Sequence, residues 1–393
     1  MNCELRILHC VTDEKFIDDL IEFTQVMWTG CYHEYAFIYS HPDIEFKYIH
    51  KKEFVKRFRG HQIVDYIQKE KINVVILHNL YSIPVYDLAS IPPKVTVVWF
   101  AWGFDLYSPT YQIHRPLIKI DMYYEKTKQA LNNVKSLNYK FELFISAVLR
   151  CKDFFKIKKA IYRVDFFSGV IPEEYDLIIA NKKNHYFRAK PLHFNYHSSQ
   201  NGFKEEYLNQ PTVSGFDIQI GNSGDPTNNH IDVMSMLQQY KIKDKRIICP
   251  LSYSGPKYYR DIVKKYGENA FGERFHPLIS FIPYDEYTKI LSTTRYAIFA
   301  MERQQAMGNV LSGLWEGRML FLSENNPEYL SLKKRGYVLF TIQKDLSMIE
   351  RNEMLSEKDI MTNRRLLISD FSDDTERKKT HVIITKLKES LEN

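Results

Sequence analysis

The sequence predicts two consecutive α/β domains, each built on a mostly parallel sheet, and three observations carry that expectation. At 393 residues the chain exceeds the roughly 250–300 residues at which one core stops growing. Short apolar runs alternate with amphipathic stretches, the pattern of βα units. This alternation occurs in two series, separated by a segment, 195–215, that has turn formers but no periodicity.

In the first series, Leu5–Val11, Tyr35–Tyr39, Val74–His78 and Val95–Ala101 read as strands. Glu14–Met27 and Glu53–Lys69 read as helices, with Ile17, Leu20, Ile21, Thr24 and Met27 on one face of the former. In the second series, Phe216–Ile220, Arg246–Pro250, Leu278–Ile282, Tyr296–Ala300, Met319–Ser323 and Tyr337–Thr341 read as strands. Helices are expected at Asn229–Gln239, Tyr258–Tyr266, Tyr284–Ser292, Asn309–Glu316 and Pro327–Lys334, and a last one at Asp374–Leu391. The expected domains are 1–205 and 206–393, the second including the terminal helix.

The composition, 44% hydrophobic with 15 Gly and 15 Pro, is that of a packed globular protein. The formal charge of +6 is uneven. Residues 113–163 hold twelve basic and four acidic side chains, a net +8, which leaves −2 for the remainder. A field confined to one aromatic-rich stretch, without a recognised nucleic-acid module, disfavours nucleic acid as a partner. Phe141, Phe144, Ile145, Val148 and Phe155 recur there near helical spacing among Arg150, Lys152, Lys156, Lys158, Lys159 and Arg163. Such a helix can lie in a headgroup layer, aromatics down and cations on anionic lipid; the alternative is a helical hairpin packed on its own domain. Five separated cysteines without a C-x-x-C pair fit inert thiols in a reducing compartment. The N-terminus reads as a strand rather than a signal peptide, and no run of about 18 apolar residues suggests a membrane span.

Three stretches could carry chemistry. The strand at Phe216–Ile220 runs into Gly221-Asn222-Ser223-Gly224-Asp225, with Asn228 or Asn229 as the N-cap of a helix beginning near His230. That arrangement offers backbone N–H groups and a helix N-terminus to a diphosphate, or is simply a tight βα turn. Ala300–Asn309 leaves a strand and enters a helix; Arg303 could pair with phosphate, and Glu302, Gln304 and Gln305 could read hydroxyls or a base. The stretch Val97–Tyr107 breaks at Gly103 and sets Asp105 beyond a strand, as a general base or a helix cap, with Trp102 and Tyr107 as sugar-stacking faces. His78 and His230 are further candidates for contact with the reacting groups. Zinc-spaced Cys/His arrays, a P-loop, an early G-x-G-x-x-G and an Asp-x-Asp clamp are all missing. No metal or other cofactor is therefore expected, and leaving-group charge would fall to amides, a helix dipole and Arg303.

Taken together these motifs resemble the TDP-N-acetylfucosamine:lipid II N-acetylfucosaminyltransferases. The residues that carry the resemblance are Trp102-Gly103-x-Asp105-Leu106-Tyr107, Gly221-Asn222-Ser223-Gly224-Asp225 with Asn228 and His230-Ile231, Tyr284-Asp285-x-Tyr287, Arg303-Gln304-Gln305 with Gly308, and Asn326-Pro327. The resemblance covers Leu5 to about Leu346, interrupted by the basic stretch, which is longer here than in the family; Glu302 is also additional. The resemblance implies a GT-B glycosyltransferase, two Rossmann-like domains facing a cleft, at the cytoplasmic face of a bacterial inner membrane. It implies a nucleotide-sugar donor, dTDP- or UDP-linked amino-deoxysugar, on Gly221, Asn222, Ser223, Gly224, Asp225, His230, Gln304, Gln305 and Asn309. A lipid-linked saccharide acceptor would meet Trp102 and Tyr107, with Asp105, Arg303 and His78 as the catalytic candidates. A nucleotide-sugar 2-epimerase and a non-catalytic membrane-surface adaptor are the alternatives.

Overall fold

A computed structural model describes residues 4–39, 44–107, 116–134, 154–195 and 203–392. They form two compact units, each an α/β sandwich around one parallel sheet. The first sheet contains β1 (Leu5–Val11), β2 (Cys31–Tyr39), β3 (Val55–Arg59), β4 (Val74–His78), β5 (Thr96–Phe100), β6 (Phe166–Ser168) and β7 (Lys190–Pro191), ordered β3-β2-β1-β4-β5-β6-β7. The second contains β8 (Asp217–Ile220), β9 (Ile247–Pro250), β10 (Phe275–Leu278), β11 (Thr294–Phe299), β12 (Met319–Leu322) and β13 (Phe340–Thr341), ordered β10-β9-β8-β11-β12-β13. The central strands β4, β5, β8 and β12 are buried at every residue, which is why β4, β5 and β12 read as unbroken or nearly unbroken apolar runs, whereas β8 carries Asp217 and Gln219. Strand order reverses between β1 and β4 in one sheet and between β8 and β11 in the other. Loops at the carboxyl ends of those strand pairs are where such sheets bind ligands.

Several expectations are corrected. Glu53–Lys69 is not one helix: Val55–Arg59 pairs with Tyr35–Tyr39 as β3, and only Gln62–Lys69 is helical. Phe54, Val55, Phe58, Ile63 and Ile67 imitate helical spacing, and the real break is Gly60, at φ +49°. The strand expected at Leu278–Ile282 lies earlier, at Phe275–Leu278, paired with Ile247–Pro250. Beyond it, Ile279 and Phe281 are 54% and 81% exposed.

The terminal helix, Asp373–Glu392, belongs to the first unit rather than the second, because its apolar stripe is covered there. Ile383 and Leu387 are buried in the core of the first sheet, and Ser390 Oγ lies 2.9 Å from Thr96 Oγ1. The basic stretch is likewise divided. Helix Glu125–Val134 joins the second unit, where Leu131 enters the core. The Asp232 carboxylate accepts from Lys126 N, Thr127 N and Thr127 Oγ1 at 2.7–2.9 Å, capping that helix from outside it. Helix Phe154–Tyr162 packs in the first unit against helix Val85–Ser90. The remaining expectation of an inserted helix, with Phe141, Phe144, Ile145, Val148, Arg150 and Lys152, falls outside the described residues.

Candidate functional site

The two loops singled out in the second half leave adjacent strands at the reversal point of the second sheet. Gly221 N donates to Ile298 O at 2.9 Å as β8 ends. Asn229, at φ +51°, donates through Nδ2 to Ala300 O at 2.7 Å, and Thr227 Oγ1 reaches Gln305 Oε1 at 2.7 Å. Asn326 Nδ2 holds Met301 O and Arg303 O at 2.8 and 3.1 Å, while Gln305 N donates to Glu328 Oε2 at 3.3 Å. The loops after β8 and β11 are therefore joined, through Asn229 to Ala300 and Thr227 to Gln305, with Arg303 and Gln304 on the second of them and Asn309 in the helix that follows. Glu302 accepts from Ser323 Oγ at 2.7 Å.

The way these loops can meet an anion differs from the expected amide cradle. Asn222 N donates to Asn228 Oδ1 at 3.1 Å and Gly224 N to Tyr253 O at 2.8 Å, so with Gly221 three loop amides are spent internally. Asn229 occupies the cap position but its side chain does not cap; it ties the loop to Met122 O and Ala300 O instead. Helices His230–Leu237 and Met307–Trp315 both begin without a side-chain cap, and a Cβ on Gly308 would meet open space. Uncapped first turns carry the positive end of the helix dipole. His230 adds a buried imidazole behind the loop. Burial pushes its imidazole down to about 4, so it is neutral near pH 7. Its Nδ1 lies 3.3 Å from the Tyr259 hydroxyl, and a hydrogen bond with the Ser223 backbone partly offsets the effect of burial. Nε2 faces Gly221, where a Cβ would stand 2.9 Å away. Arg303 spends Nη1 on Gln304 O at 2.9 Å.

In the first unit the structure corrects the catalytic candidates. Asp105 is completely buried in the short helix Phe104–Tyr107. Oδ2 accepts from Leu80 N at 2.9 Å and Trp99 Nε1 at 2.7 Å, and Oδ1 from Trp102 N at 2.9 Å. A carboxylate so enclosed holds the loops after β4 and β5 together; it is a positioning residue rather than a base exposed to an acceptor. His78 is also buried completely, in a chain of imidazoles: His78 Nε2 lies 2.9 Å from His9 Nδ1, and His9 Nε2 lies 2.9 Å from His33 Nδ1. His33 Nε2 points at Trp28 O, 3.5 Å away, and a carbonyl can only accept. That fixes the hydrogens in one direction along the chain, with His78 protonated at Nε2. Burial lowers all three, His78 to about 3 and His33 to about 4. Tyr107, expected to stack on sugar, is 1% exposed; Trp102 stays partly exposed and meets Phe16 edge-on at 4.6 Å.

Sequence reasoning missed Glu174, which is buried after the turn that follows β6. Its Oε2 accepts from Val170 N at 2.7 Å and Ile171 N at 3.3 Å, and burial pushes its carboxyl up to about 7. The available signal was Gly169 before Pro172: a Cβ at 169 would stand 2.4 Å from Glu174 Oε2.

Two Rossmann-like units, each on one parallel sheet, have the architecture of the GT-B fold, and solved structures agree. The chain aligns over 98% of its length with all of the Anabaena HepE protein, solved in complex with UDP and glucose, at 12% identity and TM-score 0.62. It aligns over 98% with 99% of a Rickettsia africae glycosyltransferase, at 11% identity and TM-score 0.62. It aligns over 99% with 68% of a Thermobaculum terrenum O-GlcNAc transferase mutant, at 11% identity and TM-score 0.58. A protein-family model described as 4-alpha-L-fucosyltransferase, glycosyl transferase group 56, matches residues 142–373. The chain belongs to that family and is a glycosyltransferase, which decides for group transfer over the epimerase and adaptor alternatives.

Proposed function

We propose that the chain moves an amino-deoxysugar of the 4-acetamido-4,6-dideoxyhexose type from a dTDP- or UDP-linked donor to a lipid-linked saccharide, in bacterial surface polysaccharide assembly and without a metal cofactor. One observation carries this reading: the loops after β8 and β11 meet at the reversal point of their sheet, tied through Asn229 and Ala300, with Arg303 and two uncapped helix N-termini beside them. HepE, of similar fold, is described in complexes with UDP and glucose and with UDP-glucose, which supports a nucleoside diphosphate donor. In the reaction an acceptor hydroxyl oxygen bonds to the anomeric carbon, that carbon's bond to the diphosphate breaks, and the hydroxyl proton passes to a base. The leaving diphosphate gathers negative charge, which the two uncapped helix N-termini and Arg303 offset.

The same reading places the enzyme peripherally on the cytoplasmic face of the inner membrane. Helix Phe154–Tyr162 buries Ile157, Ala160 and Ile161, while Phe155 and Tyr162 are 76% and 50% exposed beside Lys156 and Lys159. Lys156 Nζ lies 4.3 Å above the Tyr86 ring and Lys158 Nζ 4.9 Å above that of Tyr186. Rings that present cations at one surface suit anionic headgroups, each lysine contributing about 1 kcal/mol.

Thermal unfolding with dTDP, UDP and GDP tests the donor assignment. At one hundred times its dissociation constant, dTDP or UDP is expected to raise the transition of the second unit by about 5–10 °C, with GDP weaker. No shift with either pyrimidine nucleotide would contradict it.

A further inference from the structure

The turn after β9 crosses the candidate donor loop so closely that only glycine fits on both sides. A Cβ on Gly255, at φ +73°, would stand 1.9 Å from Gly224 O. A Cβ on Gly224 would stand 2.6 Å from Arg260 Cδ and 2.7 Å from its Cγ. The Arg260 stem thus lies across the loop, and its head group is underused. Nη1 makes one long bond, 3.4 Å, to Leu251 O, and Nε is buried without a partner. An arginine that serves only as packing filler keeps its head in water; here part of that head is withdrawn from it.

The position of the charge is also unfavourable in the protein alone. Arg260 lies in the first turn of helix Lys257–Phe271, which has no acidic residue in that turn and no side-chain cap. A cation there opposes the helix dipole. Lys257 is offset by Asp261, 2.9 Å away, but Arg260 makes no ion pair among the described residues. An uncompensated guanidinium, a helix N-terminus and a glycine-lined loop converge on one spot, and all three complement an anion.

We propose that Arg260 is a further phosphate-binding cation of the donor site, forming charge-assisted hydrogen bonds to the nucleoside diphosphate both in the bound donor and as it leaves; this rests on the donor reading above. Its planar fork offers Nε and Nη2 together, which suits two phosphate oxygens.

Calorimetric titration of dTDP and UDP into the full-length parent, Arg260→Gln and Arg260→Lys tests it. Gln keeps much of the stem and removes the charge; its dissociation constant for the tighter nucleotide should rise about 10- to 100-fold. Lys, which restores the charge but not the fork, should recover part of that loss. Without nucleotide, Arg260→Gln should melt at the parent's temperature or about 1–3 °C higher, since an opposed charge is gone. Affinity equal to the parent's in Arg260→Gln would overturn the proposal while the donor reading stood. A lower melting temperature without nucleotide would also overturn it, assigning Arg260 to structure. A parent that binds neither nucleotide would overturn the donor reading, and the proposal with it.

Discussion

Gly221→Ala is expected to lower sugar transfer about 100-fold or more while leaving a folded first unit. Gly221 sits at φ +67°, where a Cβ costs about 1–2 kcal/mol in backbone strain alone. The added methyl would also stand 2.7 Å from Asn228 Oδ1 and 2.9 Å from His230 Nε2. Neither neighbour can retreat: Asn228 bonds Ser223 Oγ at 3.2 Å and Asp225 O at 3.0 Å, and His230 is enclosed against Tyr259. Strain and overpacking together cost about 2–4 kcal/mol, and the loop that carries Asn222 to Asp225 has to move. A transfer assay is expected to show a loss of about 100-fold or more, and calorimetry a lower transition for the second unit. Gly308→Ala supplies the contrast in the same helix-loop setting. Its Cβ meets open space, so the transition should hold or rise. A Gly221→Ala enzyme with parental turnover would remove the loop from the donor site.

Acid is expected to unfold the first unit before the second. His9, His33 and His78 are held neutral by burial, so each takes up a proton on unfolding below pH 6.5. A histidine depressed in the folded state contributes stability that is complete above its unfolded value and is lost as pH falls toward the folded one. His78, at about 3, forfeits about 2 kcal/mol by pH 5. Glu174 acts in the opposite sense. Raised to about 7, it stabilises the fold below the ordinary carboxyl range and loses that contribution as pH rises through 7, which offsets one histidine. Asp105, also raised by burial, adds its offset at lower pH. Between pH 6.5 and 5 the first unit therefore loses about 2 kcal/mol per pH unit, against about 1 from His230 in the second unit. Differential scanning calorimetry at pH 7, 6 and 5 reads this as two transitions that separate, the nucleotide-insensitive one falling faster. Parallel displacement of both would contradict the neutral histidine chain.

The two sheets were legible because β4, β5 and β12 are apolar almost throughout and the strands are separated by amphipathic helices. β3 was not, since Phe54, Val55, Phe58, Ile63 and Ile67 match helical spacing across Gly60, and pairing with β2 overrides the pattern. The terminal helix showed its stripe of Ile383, Ile384 and Leu387, but nothing local says which of two sheets covers it. The donor loops were legible as glycines and polar residues after strands; their meeting through Asn229 and Ala300, 71 positions apart, is a product of strand order. Asp105 misled because Leu80 N and Trp99 Nε1 converge on it only once β4 and β5 are paired. The histidine chain draws on three strands and was invisible for the same reason.

Amide hydrogen exchange of the full chain, with and without saturating dTDP or UDP, tests the donor site most directly. Binding at the reversal point of the second sheet predicts added protection in peptides covering 221–231 and 300–310, and little change in β1 to β7. Nucleotide binding that protected the first unit instead, and left both loops exchanging as before, would contradict the account.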